Sequence, residues 1–308
     1  MTAPRLDEIK TATPRLLALL EQDYAPQHQR RNALLRDWDK PAYQVLGAAP
    51  VLPSWKWTNP YTHPDASLLT IDVNGAWLAA ATCVTVAWGP LVHAGAQTGY
   101  RRLPGYYYTE IPEGSWADLR IPHPLGTSRH DGTMVWLPEP VMSLLQELAH
   151  RGDWPEIRIY DAWLPDGDIA VRMTRWANEI QRRRLLLIEG GDATRHELAD
   201  LKVAYAQAVQ IMDGSPGKDG KPRCYLRRPD WQHAIKAMHA VNTWRKLYAC
   251  AQNGHAPAAV REVDAVDFTL EDLIAIQQMT TGDRRGPLRI DQTGRALGAF
   301  KIKGGQHT

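Results

Sequence analysis

Hydrophobic residues in this chain recur with two periods, and the changes of period mark its elements. Leu68-Leu69-Thr70-Ile71 is an unbroken apolar or β-branched run, the pattern of a strand buried on both faces. It delivers one acidic residue, Asp72, and then Val73 and Asn74-Gly75, a strong turn signal. Ala76-Trp77-Leu78-Ala79-Ala80-Ala81 follows and suits a short helix. This spacing puts Asp72 at the end of a buried strand. Further strands are expected at Cys83 to Trp88 and at Gly105 to Ile111, where Tyr106, Tyr107 and Tyr108 alternate between faces. Thr133 to Leu137, Glu139 to Arg151 and Ile157 to Trp163 read as strand, helix and strand, with Val141, Leu144, Leu145 and Leu148 on one helical face.

The period then lengthens. Arg172 to Met212 reads as a helical pair broken at Gly190-Gly191, and a further helix runs from Trp231 to near Cys250. Ala258 to Glu271 returns to alternation and reads as a strand on which Glu262 and Asp264, two apart, share a face. Leu6 to Trp38 reads as two helices, Pro50 to Pro64 as an irregular Pro- and Trp-rich linker, and Asp213 to Arg223 as a loop. Strands and helices in this mixture point to an α+β fold.

Composition narrows the classes. The 308 residues suffice for two or three packed units. Thirty-six basic against 34 acidic residues give a formal charge of +2, so any nucleic-acid surface must be local. Candidate phosphate contacts are Arg182, Arg183 and Arg184 on one predicted helix, and Arg227, Arg228, Lys236, Arg245 and Lys246 at or on another. Cys83, Cys224 and Cys250 are far apart, which argues against a zinc site or a disulfide framework and fits a reducing, cytoplasmic setting. The N-terminus lacks a signal-peptide pattern, and Gly75 to Val92 is too short and too interrupted to span a bilayer, so no membrane partner is expected.

A carboxylate at the edge of a core, as expected for Asp72, is costly unless something positive meets it. A divalent metal and an arginine are both candidates; an ordinary hairpin turn capped by Asp72 is the plain alternative. Asp72-Val73-Asn74-Gly75-Ala76-Trp77-Leu78 resembles the first palm motif of family-B DNA polymerases, D-x-N-S-L-Y-P, with Gly75 and Leu78 departing from the usual Ser and Pro. Leu201-Lys202 with Tyr205 resembles the start of the second motif, K-x-x-x-N-S-x-Y-G, although Ala206 to Gln210 does not keep its second half. Glu262-Val263-Asp264 is similar to the D-T-D core of the third, and Leu297-Gly298-Ala299-Phe300-Lys301 to the L-G-x-x-K that follows it. The matches run in the family's order from Leu68 to Lys301.

The resemblance implies an antiparallel-sheet, polymerase-like palm in two parts, 51–170 and 251–308, a helical fingers-like insertion at 171–250, and a helical N-terminal region at 1–50. It implies a nucleotidyltransferase of DNA replication that adds deoxynucleotides with Mg²⁺ or Mn²⁺. Asp72, Asp264 and Glu262 would hold metal, with Asp72, Asp264 and Lys202 catalytic. Trp77, Asn74, Arg182, Arg183 and Tyr205 would contact substrate, Trp77 under the sugar, where it would exclude a 2′-hydroxyl. Its implied partners are DNA, deoxynucleoside triphosphates and a terminal or priming protein. No room for an exonuclease domain or an ordinary thumb is expected, which suggests short or protein-primed synthesis. The rival expectation is a catalytically inactive, polymerase-derived DNA-binding protein, such as a telomere- or plasmid-associated factor or a regulator; a third is an unrelated α+β protein.

Overall fold

The computed structural model describes residues 45–166, 170–210, 212, 228–279 and 286–306. The expected N-terminal helices, the loop at 213–223 and Arg227 lie outside them. The first strand, β1 (Trp55–Thr58), falls inside the stretch expected to be an irregular linker: Trp55 anchors it, 1% exposed, with its indole N–H donated to the carbonyl of His123. Next come β2 (Leu68–Val73) and α1 (Ala76–Cys83), so the strand, turn and helix around Asp72 stand where the pattern placed them. Gly75 makes the corner with φ of 55°, a left-handed conformation that glycine adopts without steric cost.

After α1 the chain forms β3 (Thr85–Ala87), β4 (Leu91–His93), β5 (Tyr106–Ile111), β6 (Thr133–Pro138), α2 (Glu139–Arg151) and β7 (Ile159–Pro165). The C-cap glycine of α2, Gly152, takes φ of 80°, and His150 and Arg151 stand in its last turn, where positive charge complements the helix dipole. Then follow β8 (Ala170–Arg172), the expected helical pair α3 (Thr174–Glu189) and α4 (Arg195–Gln210), and α5 (Pro229–Gln252). The chain closes with β9 (Ala259–Glu262), β10 (Ala265–Thr269), α6 (Leu270–Gln278) and β11 (Phe300–Gln306).

Among the described residues, every pairing between strands is antiparallel, and Ile290 adds one isolated parallel bridge to Phe300. One sheet has the order β1-β9-β10-β2-β11, a second β4-β7-β5-β6, and β3 pairs with β8. With six helices among the described residues, this is the expected mixed fold with antiparallel sheets. Ala258 to Glu271 is not one strand, as expected, but the hairpin β9–β10 running into α6, with Val263-Asp264 at its turn. The expected common face of Glu262 and Asp264 is thereby lost, because Glu262 takes φ of 60° where the chain reverses.

Two of the three buried clusters among the described residues hold these layers together. The larger joins Ile71, Val266, Phe268 and Phe300 of the five-stranded sheet to Leu144, Leu145 and Leu148 of α2 and to Val241, Trp244 and Leu247 of α5. The other joins Leu78, Ala80 and Ala81 of α1 to Trp176 and Ile180 of α3, Tyr205 and Ala208 of α4, and Trp231 and Ile235 of α5. Trp77 packs against both. Asp72 therefore stands where the sheet meets the helical layer. No helix among the described residues is long and apolar enough to cross a membrane.

Candidate active site

β2 lies between β10 and β11, and its register puts Ala265 opposite Asp72 on one side and Lys301 opposite it on the other. Asp264 sits one residue before that position, at the hairpin turn. Asp72 is 8% exposed. Its carboxylate Oδ2 lies 2.8 Å from Lys303 Nζ and 3.6 Å from Lys301 Nζ. Asp264 holds its proton more tightly than an ordinary aspartate, first because it is buried and then because of the charge of Asp72; Lys303 opposes the shift. The two acids thus stand in each other's field, which a cation would relieve. Glu262, exposed at the end of β9, contributes a weaker repulsion to Asp264.

The helical layer supplies cations. Lys202 of α4 has a lowered proton affinity, caused first by desolvation, then by Lys301 and Arg184, with Asp72 pulling the other way. Lys202, Arg184, Lys301 and Asp72 therefore share one electrostatic neighbourhood. Arg184 is 2% exposed, and its Nη1 donates to Gln181 Oε1 over 3.3 Å while its Nε has no partner among the described residues. Burial lowers its proton affinity, opposed by Tyr205 and Asp291. A Cβ built on Gly294 would lie 3.4 Å from Arg184 Nη2 and 3.8 Å from Asn74 Oδ1, so the guanidinium passes over backbone that glycine leaves open.

Of the expected substrate contacts, Arg182 and Arg183 are not at this site. Both lie on the exposed side of α3 and share Glu179, at 2.9 Å and 3.0 Å, because positions three and four residues on share its face. Arg184, expected only as one member of the triplet, is the one that turns inward. Asn74 is a structural clamp: its amide donates to the Asp291 carbonyl over 2.7 Å, and its backbone bonds Ala299 and Gly298. Tyr205 is buried against the second cluster, its phenol proton held more tightly by burial and loosened by Arg184. Trp77 is half-buried at the junction of the clusters.

The expected phosphate contact at Arg228 is corrected. Its guanidinium is buried, paired with Asp230, bonded to the carbonyls of Ala87, Trp88 and Gly89, and stacked over Trp231 at 4.5 Å. Arg245 pairs with Glu147 at 2.6 Å, and Lys246 donates to the Gly298 carbonyl. Lys303 escaped the sequence reading, although it shares a β11 face with Lys301 two residues before it.

Among the described residues no group of three or more His, Cys, Asp or Glu side chains is placed to hold a metal. The Asp72 and Asp264 pair nevertheless fits Mg²⁺, which is usually held by one or two carboxylates together with substrate phosphates and water rather than by an all-protein cage.

No protein-family model and no curated protein matches the chain. Solved structures do. A phi29 DNA polymerase complexed with primer-template DNA superposes with a TM-score of 0.53 at 11% identity, covering 82% of this chain and 45% of that one. An orthorhombic crystal form of phi29 DNA polymerase gives 0.53 at 12%, covering 83% and 46%. The ternary complex with incoming nucleotides gives 0.52 at 10%, covering 81% and 45%. The chain has a DNA-polymerase-like fold and spans less than half the length of the polymerase it matches.

Proposed function

We propose that the protein is a DNA-polymerase-like nucleotidyltransferase that adds deoxynucleotides to a DNA or protein primer, in short or protein-primed synthesis. In this reading 51–170 and 251–308 form the palm, 171–250 a fingers-like insertion, and 1–50 an N-terminal helical region. The observation that carries it is the meeting of Asp72 with the Asp264 turn one register step away, in the field of Lys202 from the helical layer, on a polymerase-like fold.

The chemistry follows from the side chains. The primer hydroxyl oxygen forms a bond to the α-phosphorus of the incoming triphosphate. The bond from that phosphorus to the bridging oxygen breaks, pyrophosphate leaves with the electron pair, and the hydroxyl proton passes to water. Asp72 and Asp264, with Glu262 beside them, would hold Mg²⁺ or Mn²⁺, which when bound supplies positive charge at the attacking and leaving oxygens. Lys202 and Arg184 offset the triphosphate charge from the helical side, and Arg184 has donors left to give. Trp77 is assigned to the floor beneath the sugar.

A second reading has its own observation. Lys303 and Lys301 already neutralise Asp72, as they would in a polymerase-derived DNA-binding protein without catalysis. Radiolabelled deoxynucleotide incorporation on a primed template separates the two. The enzyme reading expects incorporation with Mg²⁺ or Mn²⁺ and its loss, by about a hundredfold or more, in Asp264→Asn, which deletes a metal carboxylate. No incorporation by the wild type with either metal, together with unchanged DNA binding by Asp264→Asn, would establish the binding protein instead.

A further inference from the structure

A cavity of about 660 Å³ opens between α1, α5 and the segments at 286–289 and 297–299. Val73 lines it and Asp72, the preceding residue, does not, although the charge of Asp72 reaches His239 on the cavity wall. Among the described residues, none that lines it is acidic. Its positive groups are Lys246, Arg289 and Arg245, the last engaged by Glu147. Lys246 lies 4.9 Å from the centre of the Phe300 ring and spends one N–H on Gly298, leaving two for a ligand. Burial lowers its proton affinity.

His239 and Thr243, 7% and 2% exposed, line the cavity, and neither side chain has a hydrogen-bond partner among the described residues. Their polar atoms can bond a molecule that enters the cavity. The volume falls within the range of small-molecule sites.

We propose that this cavity is a second ligand site, for a phosphate-bearing small molecule of mononucleotide size. Lys246 and Arg289 meet the phosphate, and His239, Thr243 and Asn242 supply neutral hydrogen-bonding groups around the remainder. Recognition needs no metal, because the described residues of the cavity offer cations and no carboxylates. It does not depend on the polymerase reading, since none of the residues assigned to catalysis lines it.

Cys83, exposed at the rim, provides the readout. The full chain is incubated in EDTA with deoxyadenosine monophosphate, pyrophosphate or deoxyadenosine, and iodoacetamide alkylation of Cys83 is followed by peptide mass spectrometry. Saturating deoxyadenosine monophosphate or pyrophosphate should slow alkylation at least about fivefold by occupying the cavity. Protection by both shows that the anion alone suffices, and protection by the monophosphate alone shows that the nucleoside contributes. Lys246→Met should weaken protection by about tenfold or more in ligand concentration, the scale of one charge-assisted hydrogen bond. If Lys246→Met loses its native circular dichroism, Arg289→Gln and Asn242→Leu replace it, with a smaller loss expected. Lys202→Gln and Asp264→Asn, at the candidate active site, should keep full protection. No protection by either anion, protection by deoxyadenosine equal to that by the monophosphate, undiminished protection in the folded cavity variants, or its loss in Lys202→Gln would each overturn the proposal.

Discussion

Two arginines, Arg228 and Arg184, are each 2% exposed, yet their surroundings differ completely. Arg228 has Asp230 against its Nε and Nη2, the carbonyls of Ala87 and Gly89 also on Nη2, that of Trp88 on Nη1, and the Trp231 ring beneath it. It ties the end of β3 to the first turn of α5, and each of its three nitrogens has a partner. Arg184 has one long bond to Gln181 and an Nε without a partner among the described residues. Burying a charge without partners is unfavourable, so such a group persists where something else selects it. Burial alone does not distinguish these two cations; the number of satisfied donors does.

Removing each arginine should therefore fail in a different way. The largest effect is expected from Arg228→Met, which strands Asp230 unpaired in the core: a loss of about 3–5 kcal/mol of stability, read by urea denaturation. Arg184→Met should change stability by less than about 1 kcal/mol, because it deletes a poorly satisfied charge, while lowering incorporation by about a hundredfold. If the two variants lose stability equally, the contrast between them collapses. Gly75→Ala probes the corner on which Arg184 rests. Its Cβ would meet Leu297 Cδ2 at 2.5 Å at a φ of 55°, and a loss of about 1–3 kcal/mol is expected, read by thermal melting.

The smallest effect concerns Asp264. Its proton affinity is raised in the folded state, so between its unfolded and folded pKa the native protein binds more protons than the unfolded one. Stability then falls as pH rises through that window and stays reduced above it. Without metal, Asp264→Asn should raise the melting temperature at pH 7 and lose that advantage as pH falls through the carboxylate range. A melting temperature equal to wild type throughout would remove the repulsion between Asp72 and Asp264 from the picture.

How much of this the sequence discloses depends on whether a residue's signal is local. The strand, turn and helix around Asp72 were legible because an apolar run, Asn-Gly and an Ala-rich stretch each state a local preference. The hairpin at Val263-Asp264 was not: no glycine or asparagine marks it, and its positive φ falls on Glu262. β1 was hidden because four residues between prolines carry little periodicity. Arg184 was legible in principle. Ala177, Ile180 and Arg184 are spaced three and four apart, and all are buried on α3, whereas Arg182 and Arg183 fall on the face of Glu179. The lysines on Asp72 could not be inferred from local pattern, since their pairing is set by the register of β11.

That register bears on the order in which the molecule folds. Thr70 bonds Asp267 across 197 residues of chain, and Asn74 bonds Asp291 across 217, so everything that converges around Asp72 waits on closure of very long loops. Long-range antiparallel pairing of this kind is slow to form, whereas the helical pair α3–α4 is local and can form early. On a ribosome, β2 emerges long before β10 and β11 exist to flank it, and until they arrive it is an apolar strand with two open edges. The nascent chain would therefore pass through a stage with its helices in place and its acidic centre unassembled, vulnerable to aggregation through β2.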